Sequence, residues 1–280
     1  MEAAKQQLDD IVQTQRVSGK PAALDPSLHS WYVDVRLNRL VVDVEAGAHK
    51  RAIDLIASTR VDAHLIQFTE SKHRPQLTFD VRGGDGYRIG TQHICSIGFA
   101  VRQDQYNGFL TAGHCGGVGA STTTWQRESI GDVYASVFPT SDYGVVHNAN
   151  PQGIPRPWVN AYSFGGNLTI VGATPAVVGA PICRSGVVSG ARCGTLTATN
   201  VTVQYAEGLV FGLSTTSACV AAGDSGGSVV TPTGHAQGVN SGGYLPNGTH
   251  NCDQQTPLTF FQPILPILEA FPRMTLVTGP

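Results

Sequence analysis

From residue 79 to residue 280 the chain contains no lysine, yet it holds all six cysteines and 31 of the 33 glycines. Within that stretch the apolar runs are short and punctuated by Gly, Thr and Ser: residues 95–101 (CSIGFAV), 108–111, 131–137, 195–205 and 227–230. Strands this short, with turns every eight to twelve residues or so, predict a β-sandwich or a closed barrel. Only residues 263–270 (PILPILEA) read as a helix, and Pro266 weakens that reading. There is no fixed-period repeat and no low-complexity tract.

Residues 1–78 are built differently. They carry 10 basic and 10 acidic side chains, against 8 and 10 in the 202 residues that follow. The break predicts two domains, 1–78 and 79–280. Leu8, Ile11 and Val12 are spaced for a short amphipathic helix over residues 3–13. Residues 31–35 and 40–44 are β-rich runs joined by the polar residues 36–39, a hairpin signature. Residues 48–58 place Ala52, Ile53, Ile56 and Ala57 on one helical face, and residues 63–68 return to strand character. The charged, proline-bearing residues 71–76 (SKHRPQ) read as an exposed linker suited to cleavage.

Overall, 41% hydrophobic and 14% charged residues exclude a disordered chain, and no apolar run reaches the roughly 18 residues of a membrane helix. A formal net charge of -2 predicts neither a nucleic-acid nor a membrane-surface partner. Six cysteines in one domain, spaced unlike Cys-x-x-Cys metal sites, indicate disulfides and an oxidising compartment. Residues 1–10 (MEAAKQQLDD) lack the apolar core of a secretory signal, so the expectation is a secreted protein whose signal lies outside this chain. The alternative, an intracellular protein with reduced thiols, leaves the cysteines unexplained.

Three short segments of the second domain carry chemistry: residues 111–115 (TAGHC), 141–143 (SDY) and 223–228 (GDSGGS). A hydroxyl is a poor nucleophile at neutral pH, so Ser225 needs a neighbouring base, and His114 is the natural one. An imidazole must be held in one tautomer and stabilised once protonated, which is the task of a buried carboxylate, and Asp142 lies between the two in sequence. Glycine at 223 permits the backbone to aim its N–H, with that of Ser225, at a developing oxyanion. Asp224, beside the nucleophile, is assigned to a buried ion pair or hydrogen bond that shapes the loop. The order His, Asp, Ser is that of the β-barrel proteases.

At these residues the chain resembles the chymotrypsin-like serine proteases, specifically the α-lytic protease and streptogrisin type made by bacteria as proenzymes. The resemblance extends to CSIGFA at 95–100, CRSG at 183–186 with Cys193-Gly194, YAEG at 205–208, QGVNSGG at 237–243 and LVTG at 276–279. In the first domain, SWYVDVR at 30–36 and LVVDVE at 40–45 resemble the C-terminal lobe of the family's pro-segment. It implies an all-β, trypsin-like fold of two antiparallel six-stranded barrels with the active site between them, preceded by a small α+β pro-segment. Of the 15 pairings six cysteines allow, it selects Cys95–Cys115, Cys183–Cys193 and Cys219–Cys252. The residues so marked are His114, Asp142 and Ser225 as catalytic triad and Gly223 with Ser225 as oxyanion hole. Substrate adds as a strand along Ser241, Gly242 and Gly243, and Ser241 is expected to hydrogen-bond Asp142.

The resemblance also places the P1 pocket between Val220, Ala221 and Ala222 on one side and Asn240, Ser241, Gly242 and Gly243 on the other. No acidic residue stands at Cys219 or its neighbours, against a Lys or Arg preference, and Asn240 occupies the place of the histidine in glutamate-specific relatives. Val220 and Asn240 are smaller than the methionines of the lytic branch, so a medium to large apolar P1 is expected. The pro-segment is expected to assist slow, long-range barrel pairing, with residues 63–68 pairing against 195–205, and then to inhibit until autocatalytic cleavage between Thr78 and Phe79. The partners expected are protein or peptide substrates and the intramolecular pro-segment, acting on a monomer without metal or other cofactor.

Blander readings compete with these. His93, His147, His235 and His250 read as surface or loop residues, and a zinc site built from His93, Cys95, His114, Cys115, His250 and Cys252 needs thiolates that disulfides would consume. Asn167, Asn200 and Asn247 begin sequons, meaningful only in a eukaryotic secretory pathway. Trp31, Tyr32 and residues 264–267 read as core. A catalytically dead binding relative is disfavoured because all three catalytic side chains are present. Gly223 to Gly227 matches the Gly-x-Ser-x-Gly elbow of acyl-hydrolases, but His precedes Ser and no strand–helix alternation surrounds it.

Overall fold

The computed structural model describes residues 1–17, 27–57, 61–90, 93–246 and 248–280; the sequon at Asn247, Ser58 and the side chains of Ile11 and Val12 fall outside what is described. Two compact units emerge, Met1–Leu77 and Thr78–Pro280. In the first, helix α1 (Glu2–Val17) precedes strands β1 (Leu28–Asp34) and β2 (Arg39–Glu45), helix α2 (His49–Ala57) and strand β3 (Ile66–Ser71). The β1–β2 hairpin turns where Asp34 Oδ1 accepts the amides of Arg36 and Leu37, at 2.8 and 3.1 Å, with Asn38 left-handed. Strands β2 and β3 are parallel, so α2 provides the crossover such a pair requires. Leu40, Val42 and Val44, alternating along β2, pack with Leu8, Ala52 and Ile56. The α2 face differs from expectation: Ala48, Ala52 and Ile56 are buried at i, i+4 spacing, whereas Ile53 and Ala57 are exposed. Trp31 packs partly on this core and donates Nε1–H to Asp9, while Tyr32 is exposed rather than buried. Beyond β3, residues 72–78 are exposed and without regular structure, as the linker reading expects.

The second unit is all-β but for one short helix. Its strands are β4 (Phe79–Gly83), β5 (Gly86–Ile89), β6 (His93–Ser96), β7 (Ala100–Gln103), β8 (Tyr106–Thr111), β9 (Ser121–Thr124), β10 (Ser129–Val137), β11 (Tyr143–Asn148), β12 (Gly153–Asn160) and β13 (Asn167–Thr169). There follow β14 (Pro181–Gly186), β15 (Gly190–Tyr205), β16 (Gly208–Thr216), β17 (Ser228–Val230), β18 (Ala236–Gly243), β19 (Thr259–Pro263), helix α3 (Ile264–Ala270) and β20 (Met274–Leu276). The later strands close into a six-stranded barrel in the order β14-β15-β16-β19-β18-β17.

The earlier half forms an eight-stranded ladder, β20-β7-β8-β11-β10-β9-β5-β6, rather than six strands. One reason is that the strand expected over residues 95–101 breaks at 97–99, and another is that β20 adds outside β7. Across the break Gly98 donates its N–H to Leu110 O at 2.7 Å and Leu110 to Phe99 O at 2.9 Å, while Ile97 donates to Asp85 O at 2.8 Å. The segment from β6 to β7 is thus one bent strand joining β5 at its start to β8 at its end. A separate sheet, β13-β12-β4, includes the parallel pair β4–β12.

Between the halves, Phe99, Leu110 and Val145 pack with Val230, Val239, Ile264 and Ile267. Of residues 264–267, Ile264 and Ile267 therefore form core on a true helix, whereas Leu265 and Pro266 are exposed rather than buried. Pro266 sits in its first turn, where the missing N–H would have had no intrahelical acceptor.

Candidate active site

Each half contributes one side of the site. His114 lies in a 3-10 turn, Gly113–Cys115, directly after β8, and Asp142 lies in the loop between β10 and β11. Asp142 has no exposed surface, and its Oδ2 is 2.8 Å from His114 Nδ1 while its Oδ1 accepts the His114 backbone amide at 3.1 Å. Two bonds from one carboxylate fix both ring and backbone of the histidine. The Asp142 amide itself donates to Gln262 Oε1 on β19 at 2.9 Å, tying the loop to the second barrel. His114 stays partly open, with 28% of its side chain exposed. Burial disfavours the charged imidazole, but the Asp142 hydrogen bond and charge, helped by Glu207, outweigh it and raise the pKa above the ordinary histidine value.

Ser225 reaches this place on the turn preceding β17. Its carbonyl accepts the Ser96 amide at 2.8 Å and lies 3.9 Å from Cys115 Sγ, one residue beyond the histidine. The approach requires glycine next door: Gly226 has φ +79°, and a Cβ there would overlap Thr111 Oγ1 and come within 2.8 Å of Ala112 N. Gly223, at φ +99°, turns the chain on the other side of the serine. In this turn the amides of Asp224, Gly226 and Gly227 donate to Ala221 O, Asn240 O and Asp224 O. Those of Gly223 and Ser225 take no protein acceptor among the described residues, which leaves two donors beside the Ser225 side chain.

Asp224 is fully buried, and its carboxylate is engaged by partners other than His114. Its Oδ2 pairs with Arg184 Nη1 at 2.9 Å and accepts the Ala221 amide, while Oδ1 accepts the amides of Val188 and Ser189 at 2.9 and 3.0 Å. Ser189 Oγ adds a further bond to Oδ2. Arg184, on β14, also donates to Cys219 O and Ser189 Oγ, and burial lowers its pKa to about 10, still charged at neutral pH. The shaping ion pair expected of Asp224 therefore has Arg184 as its partner. Nothing in the CRSG motif marked that arginine as its mate, since the contact joins β14 to the distant turn preceding β17.

The segments expected to wall a P1 pocket also meet. Val220 donates its amide to Asn251 Oδ1 at 2.7 Å, and its Cγ1 stands where a Gly243 Cβ would come within 2.8 Å. Asn240 Nδ2 donates to Asp224 O at 3.2 Å. Ser241, expected to bond Asp142, instead pairs its Oγ with Tyr205 Oη at 2.9 Å, and burial pushes that phenol up to about 12. The Tyr205 ring packs on Phe138, which packs on His114, with centroids 6.2 and 5.5 Å apart. Disulfides link Cys95 to Cys115, Cys183 to Cys193 and Cys219 to Cys252. The first ties β6 to the His114 turn and the third braces the chain before Ser225. They occupy all six cysteines, so the zinc reading has no thiolate left.

A family model described as Trypsin matches residues 68–268, and one described as Alpha-lytic protease prodomain matches residues 1–63. Streptogrisin-C of Streptomyces griseus is 42% identical over 262 residues, which is 92% of this chain and 54% of that protein, so the chain spans about half of that relative's length. Streptogrisin-A of the same organism is 30% identical over 263 residues, covering 93% of this chain and 82% of the relative. Among solved structures, Thermobifida fusca Protease A is 43% identical with a TM-score of 0.64, covering 72% of this chain and 100% of that one. The chain therefore belongs to the trypsin family of serine proteases and carries an alpha-lytic protease prodomain ahead of its trypsin-like unit.

Proposed function

We propose that the protein is a secreted serine endopeptidase that hydrolyses peptide bonds through an acyl-enzyme and is made as a self-processing precursor. The observation that carries this is the 2.8 Å contact between His114 Nδ1 and the fully buried Asp142 carboxylate, in a segment packed against the turn that presents Ser225. With its proton held on Nδ1, the imidazole offers Nε2 as the base for the Ser225 hydroxyl. Attack of Oγ on the substrate carbonyl then forms a tetrahedral oxyanion, to which the unengaged amides of Gly223 and Ser225 donate. His114 passes the proton to the leaving amine, and a water activated by the same ring releases the acid. The peptide lies as a strand along Ser241, Gly242 and Gly243, with its P1 side chain between residues 220–222 and 240–243.

Three disulfides support a secreted home. Residues 1–78 act as a folding and inhibitory pro-segment, released by cleavage between Thr78 and Phe79, and no metal or cofactor takes part. The protease works as a monomer. Uncharged lining at Val220, Ala221, Ala222 and Asn240 favours a medium to large apolar P1. Casein and a short fatty ester, incubated with wild type and Ser225→Ala, test the reading. Proteolysis by wild type with a loss of at least about 10³-fold in Ser225→Ala is expected. Proteolysis that survives the substitution, or hydrolysis of the ester alone, contradicts it. A panel of P1 substrates in which Arg or Glu turns over best overturns the pocket assignment.

A further inference from the structure

Gln262 is a polar side chain held almost entirely out of solvent on β19, a strand of the second barrel. Its chain neighbours Phe260, Phe261 and Ile264 are core residues, and a methionine of similar volume would have filled the space with no polar group to satisfy. What the glutamine supplies is an acceptor. Its Oε1 takes the Asp142 amide at 2.9 Å, in a contact buried on both sides, and an N–H donor there dictates which end of the carboxamide faces it. By strand alternation Gln262 shares a face with Phe260, which clusters with Phe138 from the loop that carries Asp142. Asp142 is thus gripped from two directions: its carboxylate engages the ring and the backbone amide of His114, and its own amide engages the second barrel.

From Gln262 the path to the nucleophile is short. Gln262 pairs with Val239 on β18, and the next residue, Asn240, donates its amide to Gly227 O at 2.9 Å and accepts the Gly226 amide at 2.8 Å. Those two glycines follow Ser225 directly. We infer that Gln262 is a positioning residue that sets the place of the Asp142–His114 pair relative to Ser225, and through it the proton transfer between them. This rests on the reading of His114, Asp142 and Ser225 as a catalytic triad. Gln262 acts through Asp142 and takes no part in bond making. Loss of its acceptor leaves the buried Asp142 N–H unsatisfied, which favours a shift of that peptide toward another partner and a longer Asp142–His114 bond. Burial lowers the His114 pKa and the Asp142 bond raises it, so a longer bond should move it down.

The test measures kcat, KM and the acid limb of kcat/KM on one peptide anilide with an apolar P1, for wild type, Gln262→Met and Gln262→Glu prepared from the full chain. Each kcat is expressed per active site, counted from the burst of a chromogenic ester. Gln262→Met keeps the volume without the acceptor: kcat should fall about tenfold or more at nearly constant KM, and the midpoint of the acid limb should move to lower pH. Gln262→Glu keeps an acceptor oxygen at the same reach, so it should recover most of that loss and its midpoint should not fall. If the methionine variant yields no countable sites, Gln262→Asn, one methylene too short, replaces it with the same two shifts expected. A glutamine that serves packing alone predicts fewer active sites or a lower Tm, with kcat per site and midpoint as in wild type, and that result overturns the inference. Equal losses in the methionine and glutamate variants overturn it too. Failure of the endopeptidase reading looks different: wild type itself cleaves no peptide, or cleavage survives Ser225→Ala.

Discussion

In the proposed mechanism His114 must be neutral to take the proton from Ser225, and its environment makes neutrality harder to reach. Burial alone would lower its pKa, but the Asp142 carboxylate at 2.8 Å and the charge of Glu207 raise it above the ordinary value of 6.5. The acid limb of the kcat/KM profile should therefore have its midpoint above that value, with activity lost as pH falls through it. The same raised pKa means that protonated His114 stabilises the fold below the ordinary histidine pKa, a contribution lost as pH rises through the folded value. Removing the Glu207 charge withdraws support for the imidazolium, so Glu207→Gln should move the midpoint to lower pH. A midpoint that stays put or rises would show that Glu207 does not act on the ring. As candidates for the proposed roles, His114, Asp142, Ser225 and Gly223 were legible in the sequence because each role demands one residue type within a short local motif. Glu207, Tyr205 and Gln262 were not, since their part is set by folding; Gln262 lies 120 residues from the aspartate it holds. For Ser241 the partner was misjudged for the same reason, its hydroxyl meeting a tyrosine brought in by another hairpin.

The loop carrying Asp142 is held by an element that belongs to the other barrel. At the end of the β15–β16 hairpin, Leu209 O accepts the Thr140 amide at 2.8 Å and Phe211 donates its N–H to Thr140 O at 2.9 Å. Thr140 has φ +85°, which proline cannot adopt and glycine adopts freely. Thr140→Pro removes the donor and displaces the loop, and a misplaced catalytic group costs about 10²-fold in kcat. Thr140→Gly should remain within a few-fold of wild type. Equal loss in both variants would mean that the threonine side chain, rather than the backbone dock, is what matters. Sequence pattern anticipated part of the first strand of this hairpin, over residues 195–205, but not its second strand, nor that one expected strand at 95–101 would bend at Gly98, because a bend there answers to the Leu110 and Asp85 backbones. Likewise the α2 face was misassigned by one position, since periodicity alone does not say which of two adjacent stripes meets the sheet.

Across the molecule, the change in composition near residue 78 anticipates a structural division between Leu77 and Thr78. Phe79 already starts β4, donating its amide to Gln152 O at 3.0 Å, whereas residues 72–78 are exposed and irregular. N-terminal sequencing of active material should begin at Phe79, and Ser225→Ala precursor should remain whole. Conversion of that variant at the normal rate, in the absence of other protease, would rule out self-processing. The Ser225 turn is braced by Arg184, Ser189 and Asn240, all residues of the second unit. The most direct test of the triad is covalent: the processed protein is treated with a fluorophosphonate and the adduct mapped by peptide mass spectrometry. One adduct per molecule, on Ser225, formed in step with loss of proteolysis and abolished in His114→Ala, is the predicted result. Proteolysis that continues after Ser225 is fully modified, or inactivation by an adduct on another residue, would contradict the account.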